Sequence, residues 1–232
     1  RYSKVTGVQT CALPISTGAV AGCVNLPPLT AEAAREVGPW MPLMTSLGRL
    51  AARIVQAPTR LDITYAGRTD ALDTRPLTRL LVASLLGAHS GRVTPVNALA
   101  EAAARGLVVA ETVGGDGDGF DRLLKIRVSD GSRSREIDAT LHRGPRVVRL
   151  DGVEIEFDPQ SHVLLLRNED RPGMVGAVGS QLGALGINIV NFALGAAGDG
   201  QARAAITVDR ALDDAQLATL RAMPGVLSLA QV

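Results

Sequence analysis

Between positions 168 and 191 the chain gathers residues that could hold a small polar molecule. They run Asn168-Glu169-Asp170-Arg171-Pro172-Gly173-Met174-Val175-Gly176, then an apolar stretch, then Gly186-Ile187-Asn188-Ile189-Val190-Asn191. The order reads as a strand, a sharp turn, a short helix opened by Pro172 and a second strand opened by Gly186. Asn168 and Asp170 stand at one strand–turn edge and Asn188 at the other. A zwitterion needs an acceptor for its ammonium group, and Asp170 or an asparagine carbonyl supplies one. Its carboxylate needs donors, and the backbone N–H groups that open a helix supply those where the helix dipole favours an anion. Gly173 lets the backbone come close without a Cβ, and Asn188 can both donate and accept. These types suit gripping a small zwitterion rather than breaking a bond. The plainer alternative is that Asp170 caps the turn and Asn188 bonds only to backbone after Gly186.

The elements around this motif are legible. Residues 162–167 carry a continuous leucine run, which predicts a strand buried on both faces. Residues 172–185 predict a helix with Val175, Val178, Leu182 and Leu185 on one stripe, ended by Gly186. Residues 187–194 and 203–208 read as strands joined through Gly198-Asp199-Gly200. Asp213 is placed to cap a helix carrying Leu217 and Leu220, and residues 225–232 read as the last strand. The order β-α-β-β-α-β is the ferredoxin-like split unit.

Upstream, residues 26–30 form a stiff connector, with Thr30 as an N-cap. A helix follows to about residue 56, disturbed at Gly38-Pro39 and Pro42, with Leu43, Leu47, Leu50 and Ile54 on one face. Residues 61–65 alternate as a strand ended by Gly67. Helices are expected over 77–88, with Leu80, Leu81 and Leu85 inward, and over 95–104, ended by Gly106. Residues 107–111 read as a short buried strand. The Gly114 to Gly119 run, with two aspartates among glycines, lacks the later ligands and closing Glu of a calcium loop, and reads as a hairpin connection. Residues 123–128, 134–141, 146–150 and 153–157 then form an antiparallel meander, with Asp151-Gly152 as a tight turn between the last two. The expectation is an α/β (α+β) chain. Residues 17–158 form a domain of helices and antiparallel strands, and 159–232 form the ferredoxin-like domain.

Composition narrows the function classes. The 232 residues are 46% hydrophobic and 20% charged, enough for a real core. Net charge is +1 and only six residues are aromatic, so neither an electrostatic nor a base-stacking case for nucleic acid exists. No apolar run of about 18 residues predicts a membrane span. Cys11 and Cys23, the two cysteines, make no disulfide framework, and no His/Cys cluster suggests a metal. Val20-Ala21-Gly22-Cys23 matches a lipoprotein cleavage box, but the polar residues before it make a poor signal peptide, and a cytoplasmic location is expected. Residues 1–16 are set apart as a non-native segment, because 1–15 resemble translated sequencing-adaptor DNA. That leaves the expectation that the native chain began further upstream.

On Arg167-Asn168-Glu169-Asp170-Arg171-Pro172-Gly173 and Gly186-Ile187-Asn188-Ile189, the second unit resembles the ACT domain, an amino-acid-sensing module of biosynthetic enzymes. The first unit is similar to the intervening allosteric domain of long-form D-3-phosphoglycerate dehydrogenases. Val24-Asn25-Leu26-Pro27, Gly48-Arg49-Leu50-Ala51, Tyr65-Ala66-Gly67, Val96-Asn97-Ala98 and Ala104-Arg105-Gly106-Leu107 carry that likeness. The resemblance spans about residues 20–232. It implies L-serine, or a similar amino acid, held at the interface of two paired ACT domains by Asn168, Asp170 and Asn188, hence a homo-oligomer. It also implies an anionic ligand in the first domain, for which Arg146 and Arg149 are candidates beside the plainer reading of a solvated strand face. Where some relatives place an arginine before the ACT domain, this chain has Asp158-Pro159. NAD belongs to the dehydrogenase core of such enzymes. This chain carries no GxGxxG phosphate loop after a strand and no mapped catalytic set, so it holds no cofactor of its own. Two alternatives remain. The β chain of an iron–sulfur L-serine dehydratase joins related domains, but its Ser-Ser-Ser-His-Thr segment is missing here. A stand-alone amino-acid-binding protein is the other.

Overall fold

The computed structural model describes residues 31–69, 72–88, 92–198 and 200–232. The Thr30 cap, the 26–30 connector, the Val24 motif, both cysteines, the cleavage-box match and the adaptor-like segment lie outside those residues.

Two sheets carry the fold. Six strands, β1 (Arg60–Gly67), β2 (Val108–Val113), β3 (Arg122–Ser129), β4 (Ser134–Leu141), β5 (Pro145–Leu150) and β6 (Val153–Phe157), line up as β2-β1-β3-β4-β5-β6. All neighbours are antiparallel except β1 and β2. Helices α1 (Ala31–Val37), α2 (Trp40–Ile54), α3 (Thr74–Gly87) and α4 (Ala98–Ala104) accompany this sheet. The predicted disturbance at Gly38-Pro39 is the break between α1 and α2, and Leu43, Leu47 and Leu50 are fully buried below it. The Asp151-Gly152 turn forms as expected, with φ of +49° and +78°, the left-handed pair that a two-residue hairpin requires.

Three local expectations change. Helix α3 begins at Thr74 rather than 77, because Asp73 accepts from the Arg75 N–H as its N-cap. Strand β2 is an exposed sheet edge rather than a buried strand, with Val108 and Val113 more than half exposed. The glycine run at 114–119 is not a hairpin. It passes over the end of β1, with the Gly67 N–H bonded to Gly115 O, because β1 lies between β2 and β3.

The second sheet has the order β10-β7-β9-β8, built from β7 (His162–Glu169), β8 (Ile189–Ala196), β9 (Gln201–Val208) and β10 (Val226–Gln231). With α5 (Met174–Ala184) and α6 (Asp214–Arg221) this is the ferredoxin-like βαββαβ order. Asp213 and Gln216 form a full capping box on α6. Strand β7 is buried on both faces for a visible reason. Leu164 and Leu166 pack with Val178, Leu182, Leu217 and Leu220 of the helices. Val163 and Leu165 join the core of the first sheet. Strand β6 lies against β8 and β9 so closely that a Cβ on Gly195 would sit 2.3 Å from Val153 Cγ1. One stripe residue is corrected: Val175 is exposed, and Met174 is buried beside it. Among the described residues no helix is long and apolar enough to cross a membrane, and no group of three or more His, Cys, Asp or Glu could hold a metal.

Candidate functional site

Strand alternation decides what Asn168 does. Leu164, Leu166 and Asn168 share the face of β7 that looks toward α5 and α6. Asn168 is therefore not an edge residue but a buried one, 4% exposed, at the β7 end from which the chain turns into α5. Its Nδ2 donates to Glu169 O at 2.7 Å. A carbonyl accepts only, so this bond fixes the amide orientation and leaves Oδ1 inward. That oxygen is buried with no hydrogen-bond partner. Such an orphan costs about 1–3 kcal/mol unless something donates to it.

The loop that follows offers complementary groups. Asp170 is exposed, its backbone held by Gly200 O at 3.0 Å. Arg171 is turned away, paired with Glu169 at 3.0 Å and bonded to Pro224 O. Helix α5 starts at Met174, two residues later than the Pro172 opening expected. Gly173 sits at its N-cap with φ +88° and no side-chain cap. A Cβ at Gly173 would meet nothing within 4 Å, so the glycine is required by its left-handed backbone and not by close approach. Met174 N–H donates to Arg171 O at 3.4 Å, and the rest of the first turn, without a side-chain cap, leaves its N–H dipoles for an anion.

Asn188 does not join this set within one chain. Its backbone N–H donates to Asp209 Oδ1 and its carbonyl accepts from the Asp209 N–H, both at 3.1 Å, and its side chain is exposed. Through the ladders, Asn168 lies level with Ala202 and Ala196, whereas Ile189 lies level with Val208 and His162. Six residues of strand separate the two levels, roughly 20 Å. The fold thus brings Asn168, Asp170 and Gly173 together and puts Asn188 at the opposite end of the sheet.

Arg146 and Arg149 are neighbours on β5, and both face carboxylates. Arg146 stands 3.4 Å from Glu156 and 3.6 Å from Asp158. Arg149 stands 2.7 Å from Asp138 and 3.4 Å from Asp118. Burial pushes the Asp138 carboxyl up, against the pull of Arg149, while Lys125 and then Arg149 hold Asp118 below the usual carboxylate range. Both guanidinium groups are already engaged by the protein, which leaves them poorly placed to capture a free anion.

Sequence reasoning passed over a third feature. Strand β8 is an unpaired sheet edge, with Val190 65% and Leu194 50% exposed, and Val175 at the head of α5 is also exposed. Along α5, Gly176, Gly179 and Gly183 follow helical spacing. A Cβ at Gly176 or Gly183 would meet nothing, and at Gly179 only Ile189 Cδ1 of β8 at 3.9 Å. The spacing was readable in the sequence as a smooth helix face.

Comparison with known proteins follows the same two units. A family model described as the D-3-phosphoglycerate dehydrogenase intervening domain matches residues 36–151, and one described as the ACT domain matches residues 162–223. D-3-phosphoglycerate dehydrogenase of Bacillus subtilis (strain 168) is 27% identical over 215 residues, 90% of this chain and 41% of that protein. The Mycobacterium leprae (strain TN) protein of the same description is 33% identical over 165 residues, 66% of this chain and 30% of that protein. A solved ACT domain from GTP pyrophosphokinase of Chlorobium tepidum overlaps at 20% identity with a TM-score of 0.27, over 31% of this chain and 95% of that one. The chain spans about two-fifths or less of the curated relatives it matches.

Proposed function

This chain belongs to the D-3-phosphoglycerate dehydrogenase intervening-domain family and carries an ACT domain after it; from that premise, we propose that it reads L-serine as a feedback effector for a D-3-phosphoglycerate dehydrogenase. The parent protein would oxidise 3-phosphoglycerate with NAD in serine biosynthesis, in a catalytic core outside the two regions matched here. The observation that carries the effector reading is the buried, unpartnered Oδ1 of Asn168 at the β7–α5 turn. An ammonium group would satisfy it, with Asp170 supplying the counter-charge. The carboxylate of the same molecule would face the first turn of α5.

The position of Asn188 supports a site shared between two chains. If β8 pairs antiparallel with β8 of a second copy, the two-fold reverses the strand. Asn188 of the partner subunit then arrives at the end of the sheet that holds Asn168 and Asp170. The same pairing would cover Val190 and Leu194 and satisfy the open edge of β8. Serine bridging two chains would favour one relative orientation of the subunits, the two-state element that feedback requires.

Calorimetry on the 232-residue chain tests this reading. L-Serine at millimolar concentration is expected to bind saturably, and either Asn168→Ala or Asn188→Ala to abolish binding. Mixing the two variants should restore a fraction of the sites, because a mixed dimer holds one intact Asn168–Asn188 combination. Absence of serine binding to the parent would overturn the effector claim, and no restoration on mixing would overturn the shared site.

A further inference from the structure

A cavity of about 260 Å³ lies at one end of the first sheet, lined by residues of the first unit alone. Its wall includes Trp40 of α2, Phe120 and Asp121 just past the glycine run, Arg122 of β3, and Leu141 and His142 at the end of β4. The segment that shapes it is pinned. Asp118 accepts from Lys125 Nζ at 2.8 Å and stands 3.4 Å from Arg149 Nη1, and the Phe120 N–H bonds to Gly117 O at 2.9 Å. Thr140 Oγ1 donates to Arg122 O at 2.7 Å across the neighbouring strands. The cavity is thus formed by the fold before anything enters it, as small-molecule sites usually are.

Trp40 is the residue that folding leaves unexplained. It is 3% exposed, yet its indole N–H donates to nothing among the described residues. A buried indole N–H ordinarily finds an acceptor. Asn168 Oδ1 is the only fully enclosed side-chain atom without a partner among the described residues, so Trp40 Nε1 keeps an opening, and Trp40 opens on this cavity. Arg122 beside it is only partly engaged. Its Nε donates to Arg68 O at 2.7 Å and its Nη2 stands 2.8 Å from Glu36, which leaves Nη1. Trp40 is also the first residue of α2, whose first turn has no acid and no side-chain cap, so the positive end of a helix dipole stands at the same wall. These groups suit a carboxylate. The opposite need is met by Asp121, whose ion pair with Arg68, 3.5 Å long and exposed at both ends, is weak enough to yield. With Arg122 as its base and Asp121 as its acid, and His142 neutral, the lining carries no net formal charge. Phe120 and Leu141 add apolar surface.

We propose that this cavity is a second ligand site and that it takes an amino acid with an apolar side chain. The carboxylate would accept from Trp40 Nε1 and Arg122 Nη1, the ammonium would face Asp121, and the side chain would lie against Phe120 and Leu141. The volume falls just below the range that holds drug-sized ligands, which suits a molecule of leucine's size. The site shares no residue with the α5 turn or with Arg146 and Arg149, so it does not rest on the serine reading.

Trp40 is the only tryptophan of the chain, so its fluorescence reports this wall. L-Leucine, which does not absorb where tryptophan is excited, is the probe, added to the 232-residue chain. At millimolar concentration it is expected to change the emission saturably. L-Serine, without the apolar group, and 4-methylpentanoate, without the ammonium, should leave the emission unchanged at the same concentration. By calorimetry, Asp121→Asn should weaken leucine binding roughly tenfold or more, and Trp40→Phe, which keeps a ring and removes the donor, should do the same. Asp121 is exposed, so its variant should melt with the parent and report on binding alone. Arg146→Ala should bind leucine as the parent does. No saturable response to L-leucine, an equal response to L-serine or 4-methylpentanoate, undiminished binding by either Asp121→Asn or Trp40→Phe, or weakening by Arg146→Ala would each overturn the proposal. Serine binding at the α5 turn is measured separately by calorimetry, so either site can fail while the other stands.

Discussion

Helices α2 and α5 both carry glycine on a face that a neighbour can approach, and only one of those faces is filled. At Gly48 of α2, an added Cβ would lie 2.5 Å from Leu81 O, 2.6 Å from Ser84 Cβ and 2.9 Å from Leu85 N, all on α3. At Gly176 and Gly183 of α5 the same atom would meet nothing. Gly48 thus belongs to a finished contact inside one chain. The α5 glycines lie beside an unpaired strand edge and exposed Val175, Val190 and Leu194. Glycine in a helix interior costs stability, and at Gly48 the close α2–α3 crossing returns it. On α5 nothing among the described residues does, which is what a surface kept for a second copy would look like.

The largest effect should come from closing the finished contact. Gly48→Ala forces a methyl onto backbone atoms that cannot swing aside. Against backbone at 2.5 Å the overpacking cost falls at the upper end of its range, about 3 kcal/mol, and the alanine returns about 1 kcal/mol of helix propensity, so a net loss of roughly 2 kcal/mol is expected in urea unfolding. An unchanged midpoint would mean that α2 and α3 are not in the close contact described.

A smaller effect compares how the helices begin. Helix α3 is capped by Asp73, which accepts from the Arg75 N–H at 3.2 Å and from its guanidinium at 2.9 and 2.8 Å. Helix α5 has only Gly173 at that place. Asp73→Ala should cost about 1 kcal/mol at neutral pH. Arg75 holds the Asp73 carboxyl below its ordinary value of 3.8. A depressed acid gives stability that is full above the unfolded value and lost as pH falls through the lower folded one. The gap between parent and Asp73→Ala should therefore be constant from neutral pH down to about 4 and close below that. A gap that narrows already near pH 6 would point to another group.

These comparisons also mark how far the sequence could be read. The Asp151-Gly152 turn, the Gly38-Pro39 break, the Asp213 cap and the leucine run of β7 are local chemistry, and each formed as expected. Misplaced features depend on partners distant in sequence. Beyond its local Asp73 cap, the first turn of α3 is held by Thr74 and Thr78 donating to Glu111 across 37 and 33 residues. Strand β2 looked buried by composition but landed at a sheet edge. In the site, Asn168, Asp170 and Gly173 are contiguous and were visible, whereas the burial of Asn168 follows only from knowing which face of β7 the helices cover. The separation of Asn188 needs the strand register.

The smallest change in stability should come from the open face, and it carries the comparison furthest because its sign is opposite. Gly176→Ala places a methyl in open space on α5, so the single chain should gain about 0.7 kcal/mol from lower unfolded-state entropy and better helix propensity. The contact proposed between copies should move the other way, since added methyls on Gly176 and Gly183 hold two backbones apart. Sedimentation equilibrium is expected to report a weaker dimer for Gly176→Ala/Gly183→Ala, while urea unfolding of the dissociated chain moves to higher denaturant. Serine binding should weaken in step with the dimer if the Asn188 that completes each site comes from the partner subunit. A variant that dimerises as well as the parent would remove α5 from the interface and leave β8 to carry the pairing alone. One that loses the dimer yet keeps full serine affinity would place the effector site within a single chain, against the roughly 20 Å between Asn168 and Asn188.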